Sequence, residues 1–335
     1  MPEHPLAVVF PPVRILVLGG TSFVGRAIVD DALRTGAEVT LFGRGKTGTD
    51  LFTDLTRLIG DRDSGDYAAL RTGTWDAVVD VSGYVPRHVA QAMDALGERS
   101  GRYVFVSSHA VYQLDGVGPG STEDTPRRQP VRDTEELTDA TYGPLKVACE
   151  DDVLARYGAR ATIVRPGKVA GPHDSQRGLT YWVRRAAQGG RVALPGDPQQ
   201  PVQVVDSRDL ARLIVQLISD DRSGAFHAVG PADPVTLGGL IQTCARVAST
   251  TVEIVPVPPA TAPGVFPLVR TNWPSQQRSP ARARAAGMPA TPLEVTAADV
   301  LAWDRQRGQP DLGHGFTPEQ EQAILAQYDS GAFGT

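Results

Sequence analysis

Apolar positions along the chain fall into short unbroken runs separated by amphipathic stretches. VRILVL at 13–18, apolar apart from Arg14 and rich in β-branched residues, has the pattern of a strand buried on both faces. It runs directly into GGTSFVG at 19–25, after which the pattern predicts a helix over 25–34, a break at Gly36 and a second strand over 38–42. Further apolar runs at 57–59, 77–81, 103–106 and 161–164 alternate with helical segments. That alternation predicts an α/β protein with a Rossmann-type, doubly wound parallel sheet.

The stretch 114–137 is rich in Gly, Pro, Thr and acidic residues and reads as a long loop near the C-terminal edge of the sheet, in the position of a lid. After Pro166 the pattern changes, with helices expected over 180–188 and 209–218 among short strands and the proline-rich VPVPPATAPG. The predicted organisation is a dinucleotide-binding domain over 13–167, to which part of 200–230 returns, and a smaller lobe over 168–330 that carries mainly substrate contacts. No internal repeat is visible.

Composition narrows the class. The chain has 335 residues, 41% hydrophobic and 21% charged, with a formal net charge of −5, so neither disorder nor nucleic-acid binding by bulk charge is indicated. Cys149 and Cys244 stand alone, which implies neither a disulfide framework nor a metal site and fits a reducing, cytoplasmic setting. The opening MPEHPLAVVFPPVR has too short an apolar run for an export signal, and no window is apolar enough to span a bilayer. Lysine occurs only at Lys46, Lys146 and Lys168, so arginine carries most of the basic charge. Runs such as Arg184-Arg185 are accordingly read as surface charge.

GGTSFVG stands where a dinucleotide-binding turn stands, between a strand and a helix. Gly19 permits the turn, Gly25 lets the helix pack on the sheet, and Thr21, Ser22, Phe23 and Val24 place free N–H groups toward a pyrophosphate. An NAD-selective site usually ends its second strand in a carboxylate; here the strand runs into Gly43-Arg44-Gly45-Lys46, and two cations there favour the 2′-phosphate of NADP, with NAD left open. Asp61 is placed at the adenine or as a cap, and Ser82 at the same cofactor edge.

Tyr142 and Lys146 are four apart on a predicted helix and so share a face, about one segment after Ser107-Ser108 at a strand end. Lys146 beside Tyr142 is expected to pull the phenol pKa down toward working pH. Ser108 would then hold a substrate oxygen while Tyr142 exchanges a proton with it and a nicotinamide exchanges hydride.

With these residues in place, the sequence resembles the extended and atypical short-chain dehydrogenase/reductase superfamily, in its NAD-dependent epimerase/dehydratase branch. The likeness covers roughly 13–218 and rests on GGTSFVG, VFVSSHAVY, YGPLK, VRPGKVAGP and DSRDLA. It implies catalytic roles for Ser108, Tyr142 and Lys146, and a nicotinamide lined by Pro166 and Gly167. It also implies subunit pairing through the Tyr-xxx-Lys helix, for which Leu145, Val147, Ala148, Val153 and Leu154 leave a homodimer open. Two departures matter: the acidic pair of sugar dehydratases is replaced by His109-Ala110, and the diphosphate-binding arginine of UDP-sugar epimerases by Val202. His109 and Lys168 are candidate substrate contacts, each equally explained as space-filling or solvated, and His173 is a loop residue.

Three functions remain in view. The first is an NADP-dependent reductase or dehydrogenase acting on a small molecule. The second is a nucleotide-sugar epimerase that never releases NAD. The third is an RNA-binding module like the plant chloroplast proteins that share this branch and a similar LFGRGK ending; the acidic charge and intact Ser-Tyr-Lys set weigh against it.

Overall fold

Seven short strands alternate with helices through the first two thirds of the chain because each run of Val, Ile and Leu is bounded by Gly, Pro or polar turns. The computed structural model describes residues 11–231 and 233–333; residues 1–10, read above for an export signal, lie outside them. The strands are β1 (Arg14–Leu18), β2 (Glu38–Gly43), β3 (Thr56–Ile59), β4 (Trp75–Asp80), β5 (Ser100–Val106) and β6 (Ala161–Pro166). Three smaller two-stranded ladders follow, β7 (Lys168–Ala170) with β10 (Val204–Asp206), β8 (Gly190–Leu194) with β13 (Val252–Pro256), and β9 (Pro201–Val202) with β12 (Val235–Thr236). β11 (Gly224–Ala228) returns to the main sheet, whose order is β3-β2-β1-β4-β5-β6-β11 with every pairing parallel. The predicted doubly wound sheet is present. Its order reverses between β1 and β4, where such sheets open a crevice at the strand C-termini.

The helices are α1 (Phe23–Arg34), α2 (Pro86–Leu96), α3 (Tyr142–Tyr157), α4 (Gly178–Ala186), α5 (Ser207–Ser219), α6 (Leu237–Val247), α7 (Ala281–Ala285), α8 (Leu293–Gln306) and α9 (Pro318–Asp329). Alternation along β1 decides the layers: Ile15 and Val17 face α1 and α5, while Leu16 and Leu18 face the side of α2 and α3. On α5, Leu210, Leu213, Ile214 and Leu217 form one fully buried stripe, each contributing about 1.5–3 kcal/mol. The carboxylate of Asp206 starts that helix by accepting from the Arg208 N–H at 2.8 Å.

A separate apolar core, with Leu179, Trp182, Leu240, Ile241, Val300 and Leu301, belongs to the C-terminal lobe. Here the surface reading of Arg184-Arg185 fails. Arg184 pairs with the fully buried Asp304 of α8 at 2.8 Å, and Arg185 with Glu321 of α9 at 2.5 Å, so the two arginines fasten the last two helices to α4. Arg62, Arg102, Arg165 and Arg278 are buried as well. Composition alone says nothing of such pairing.

Leu114, Arg128 and Leu137 of the 114–137 loop border the cavity described below, while the residues between are strapped over helices: Arg127 pairs with Glu150 and Asp151, Arg132 with Asp152, and Glu135 with Arg87 of α2. Leu145, Val147, Ala148 and Val153 are buried inside the chain, and of the five residues named for subunit pairing Leu154 alone is exposed.

Candidate active site

A cavity of about 1420 Å³ lies over the C-terminal ends of the central strands and runs on toward the C-terminal lobe. One end is made by the glycine turn. α1 begins at Phe23, two residues earlier than expected, and Ser22 at its N-cap makes no side-chain capping bond. The N-terminal N–H groups are therefore left for a ligand, which is the arrangement that suits a pyrophosphate. Gly25 is forced by contact: a Cβ there would stand 2.0 Å from the Gly19 carbonyl oxygen. Thr21, Ser22, Phe23, Val24, Ser82 and Pro166 all line the cavity, and so does Ser107, whose buried hydroxyl has no partner among the described residues. This cradle fits a dinucleotide.

Arg44, Lys46 and Asp61 line the far rim of that end. Arg44 is about half exposed (51%) and has only a loose contact with Asp63 at 3.7 Å. Asp61 accepts from the Asp63 backbone N–H at 3.1 Å, closing a turn rather than capping a helix.

Beneath the crevice the structure adds a group that sequence spacing did not single out. Arg62 donates to both oxygens of Asp80, at 2.6 and 2.8 Å, and to the Ser82 hydroxyl at 2.9 Å, while the Tyr103 hydroxyl donates to Asp80 at 2.7 Å. Burial disfavours both charges, yet each partner holds the other ionised, so the Arg62 pKa is raised and that of Asp80 lowered. The pair fixes Ser82 against the glycine turn.

At the centre, Ser108, Tyr142 and Lys146 all line the cavity. Ser108 accepts from the Ala110 N–H at 3.1 Å, which leaves its own proton free to donate. Tyr142 opens α3, and Gly143 lets that helix approach: a Cβ there would lie 2.2 Å from the Ala110 carbonyl oxygen. Lys146 is 2% exposed and donates to the carbonyls of Gly83 at 2.7 Å and Val106 at 2.9 Å.

The expected lowering of the Tyr142 pKa is not found. Burial raises it, offset in part by the Ser108 hydroxyl, whereas burial brings Lys146 down to about 8. The ammonium is turned to two backbone carbonyls, so Tyr142 stands as a protonated phenol across neutral pH.

The other end is cationic. Lys168 lines it and bonds to the Gln176 side chain, so it is not a solvated surface lysine. Arg270 and Arg278, absent from the sequence reading, line it too. His109 is held neutral, with a pKa near 4, by burial and by the charges of Arg278, Arg270 and Lys168. That removes it as a proton relay near neutral pH. Behind this end, Arg165 is paired bidentately with the fully buried Glu150 at 2.7 and 2.9 Å, and donates to the Tyr112 hydroxyl at 2.6 Å. Glu150 shares the helix face of Tyr142 and Lys146, a spacing that would have pointed to it. Arg270 and Arg278 sit in an irregular segment with no period to betray them. Val202 is buried in β9 opposite Val235. His173 is a loop residue packed edge-on against Trp303.

The fold and this cavity are those of a dinucleotide-binding protein with a Rossmann-type sheet. Residues 15–229 match the NAD dependent epimerase/dehydratase family, and the chain belongs to that family. A nicotinamide dinucleotide is the cofactor class that family and cavity both fit. The chain is 25% identical over 253 residues to the chloroplast stem-loop binding protein of 41 kDa b of Arabidopsis thaliana, a match covering 70% of this chain and 62% of that protein, so the chain spans about three fifths of that relative's length. Among solved structures it resembles the UDP-glucuronic acid 4-epimerase of Bacillus cereus in complex with NAD (TM-score 0.68, 14% identity, 89% of this chain and 99% of that one). It also resembles RMD of Pseudomonas aeruginosa complexed with NADPH (TM-score 0.65, 20% identity, 88% and 99%). These likenesses speak to the fold.

Proposed function

We propose that this chain is an NADP-dependent oxidoreductase that interconverts a carbonyl and an alcohol on a small metabolite, with Tyr142 as the proton donor or acceptor. One observation carries the cofactor choice: β2 ends at Gly43, and Arg44 and Lys46 follow it on the cavity rim with only a loose acidic contact. When bound, the nicotinamide supplies or takes the hydride. Ser108 donates a hydrogen bond to the substrate oxygen and the Tyr142 phenol gives that oxygen its proton, while the buried Lys146, bonded to the Gly83 and Val106 carbonyls, ties α3 to the strand ends. A tyrosine already protonated at neutral pH suits reduction.

The second reading, a nucleotide-sugar epimerase that keeps its NAD, is favoured by the family description and uses the same Ser-Tyr-Lys set. An RNA-binding role, which the plant relative's name raises, has against it the acidic net charge of −5. No described helix is long and apolar enough to cross a membrane, and no membrane partner is proposed. Titration of the emptied protein with NADPH and with NADH tests the cofactor reading. Tighter NADPH binding, lost in Arg44→Ala, supports it; equal or tighter NADH binding overturns it. A tight RNA stem-loop shift with no dinucleotide binding would move the chain to the third reading.

A further inference from the structure

Water-facing apolar side chains are concentrated at one place in this molecule. Ten large apolar residues are exposed among the described residues, and five of them, Ile59, Tyr84, Leu114, Leu137 and Val265, line the same cavity. Ile59 ends β3 and belongs to the cofactor end. Tyr84, Leu114, Leu137 and Val265 edge the catalytic end, and are 44%, 42%, 51% and 79% exposed respectively. Scattered singly, such residues need no explanation; gathered around one crevice, they mark a binding surface.

None of the four is exposed through slack in the chain. Lys146 Nζ sits over the Tyr84 ring, 5.2 Å from its centroid, and so holds one face of that ring. Leu137 lies between Glu136, whose carbonyl accepts from the Thr141 hydroxyl at 2.5 Å, and Thr138, whose carbonyl accepts from the Tyr142 N–H at 2.9 Å. Leu114 follows Gln113, which donates from its backbone to the Pro126 carbonyl and from its side chain to the Arg127 carbonyl, both at 3.1 Å. Val265 precedes Phe266, which is buried with its ring 4.7 Å from that of Phe316. Each apolar residue is thus presented by an anchored segment.

The same crevice is lined by Ser108 and Tyr142, so what covers its apolar edge also reaches the reacting groups. At about 1420 Å³ the cavity exceeds the roughly 300–1,000 Å³ of a single-ligand site, which leaves room for a second small molecule beside a dinucleotide. Charge at this end is met in part from within the chain, since Asp139 faces Arg270 and Asp174 faces Lys168.

We infer that the substrate carries an uncharged apolar group, an alkyl chain or an aromatic ring, that lies against Tyr84, Leu114, Leu137 and Val265 while its reacting oxygen faces Ser108 and Tyr142. The inference rests on reading this cavity as an oxidoreductase site. Covering these side chains removes apolar surface from water, so affinity grows with each methylene of the ligand. The Tyr84 ring, already held by Lys146, offers a stacking platform that costs little to order.

The test uses protein saturated with NADP+ and the neutral dye N-phenyl-1-naphthylamine, whose fluorescence rises in apolar surroundings. The expected result is saturable binding, weakened about 3- to 10-fold in Leu137→Ser and in Val265→Ser. Val295→Ser, at a similarly exposed position of α8 that does not line the cavity, should leave it unchanged. Straight-chain amides, carbonyl analogues that hydride does not reduce, should displace the dye. Hexanamide should do so about 10- to 60-fold more strongly than propanamide, and glycolamide not at all. No saturable binding, equal binding in both cavity variants, or displacement by glycolamide as readily as by hexanamide overturns the inference. So does a native dimer that Leu137→Ser and Val265→Ser turn into monomers, because a second copy would then cover the apolar edge. Failure of NADP+ to bind counts against the oxidoreductase reading instead, because the dye titration of the empty protein still reports that edge.

Discussion

The two ends of the cavity are held by different physics. The cofactor end is one continuous piece of backbone, 19–25, shaped by contacts too close for any side chain and floored by the Arg62–Asp80 pair. The substrate end is assembled from single side chains of separate segments, His109, Lys168, Arg270 and Arg278, and is shaped by charge. A site built on backbone contact fails all at once, whereas a site built on scattered charges can be retuned one residue at a time.

Substitution where the two ends meet has the largest expected effect. Tyr142→Phe should lower turnover about 10²- to 10⁴-fold while the NADPH titration stays unchanged; a loss of NADPH binding would mean that the two ends are not separable. Next, Glu150→Ala leaves the buried Arg165 without its counter-charge and should lower unfolding stability by about 3–5 kcal/mol in a denaturant titration. A loss below about 1 kcal/mol would show that the strap and the substrate end do not depend on this pair. Gly25→Val drives a side chain into the Gly19 carbonyl and should weaken NADPH binding by about 10- to 100-fold. Arg44→Ala sharpens the contrast within the cofactor end, with NADPH binding about 10-fold weaker and NADH binding unchanged.

The smallest effect is one of pH. Lys146 loses its proton near pH 8 in the fold, while Tyr142 stays protonated and His109 neutral. Between about 8 and the ordinary lysine value of 10.5 the unfolded chain binds more protons than the fold, so this lysine makes stability rise with pH over that window. Paired melts of the native chain and Lys146→Met across the window measure the difference; an identical slope in both would contradict it.

What was legible in the sequence follows the same division. Strands, glycine turn and Tyr-xxx-Lys face could be read because each is a local pattern with a fixed period or spacing. The Arg62–Asp80–Tyr103 cluster could not, because Tyr103 of β5 and Arg62 of the turn after β3 reach Asp80 of β4 only once the sheet has formed. Arg278 is placed by Gln203, 75 residues away in the chain, and Arg184 by Asp304, 120 away, so no window of sequence contains both partners. The Tyr142–Lys146 pair shows the limit of spacing itself. Four residues put both groups on one face, but the free carbonyls of Gly83 and Val106 decide where the ammonium turns.

The most direct test of an exchangeable NADP site is to denature freshly purified protein and identify any released nucleotide by mass. The account predicts little retained nucleotide, or NADP(H) well below one per chain. One NAD released per chain would contradict it and point to an enzyme that recycles its cofactor internally.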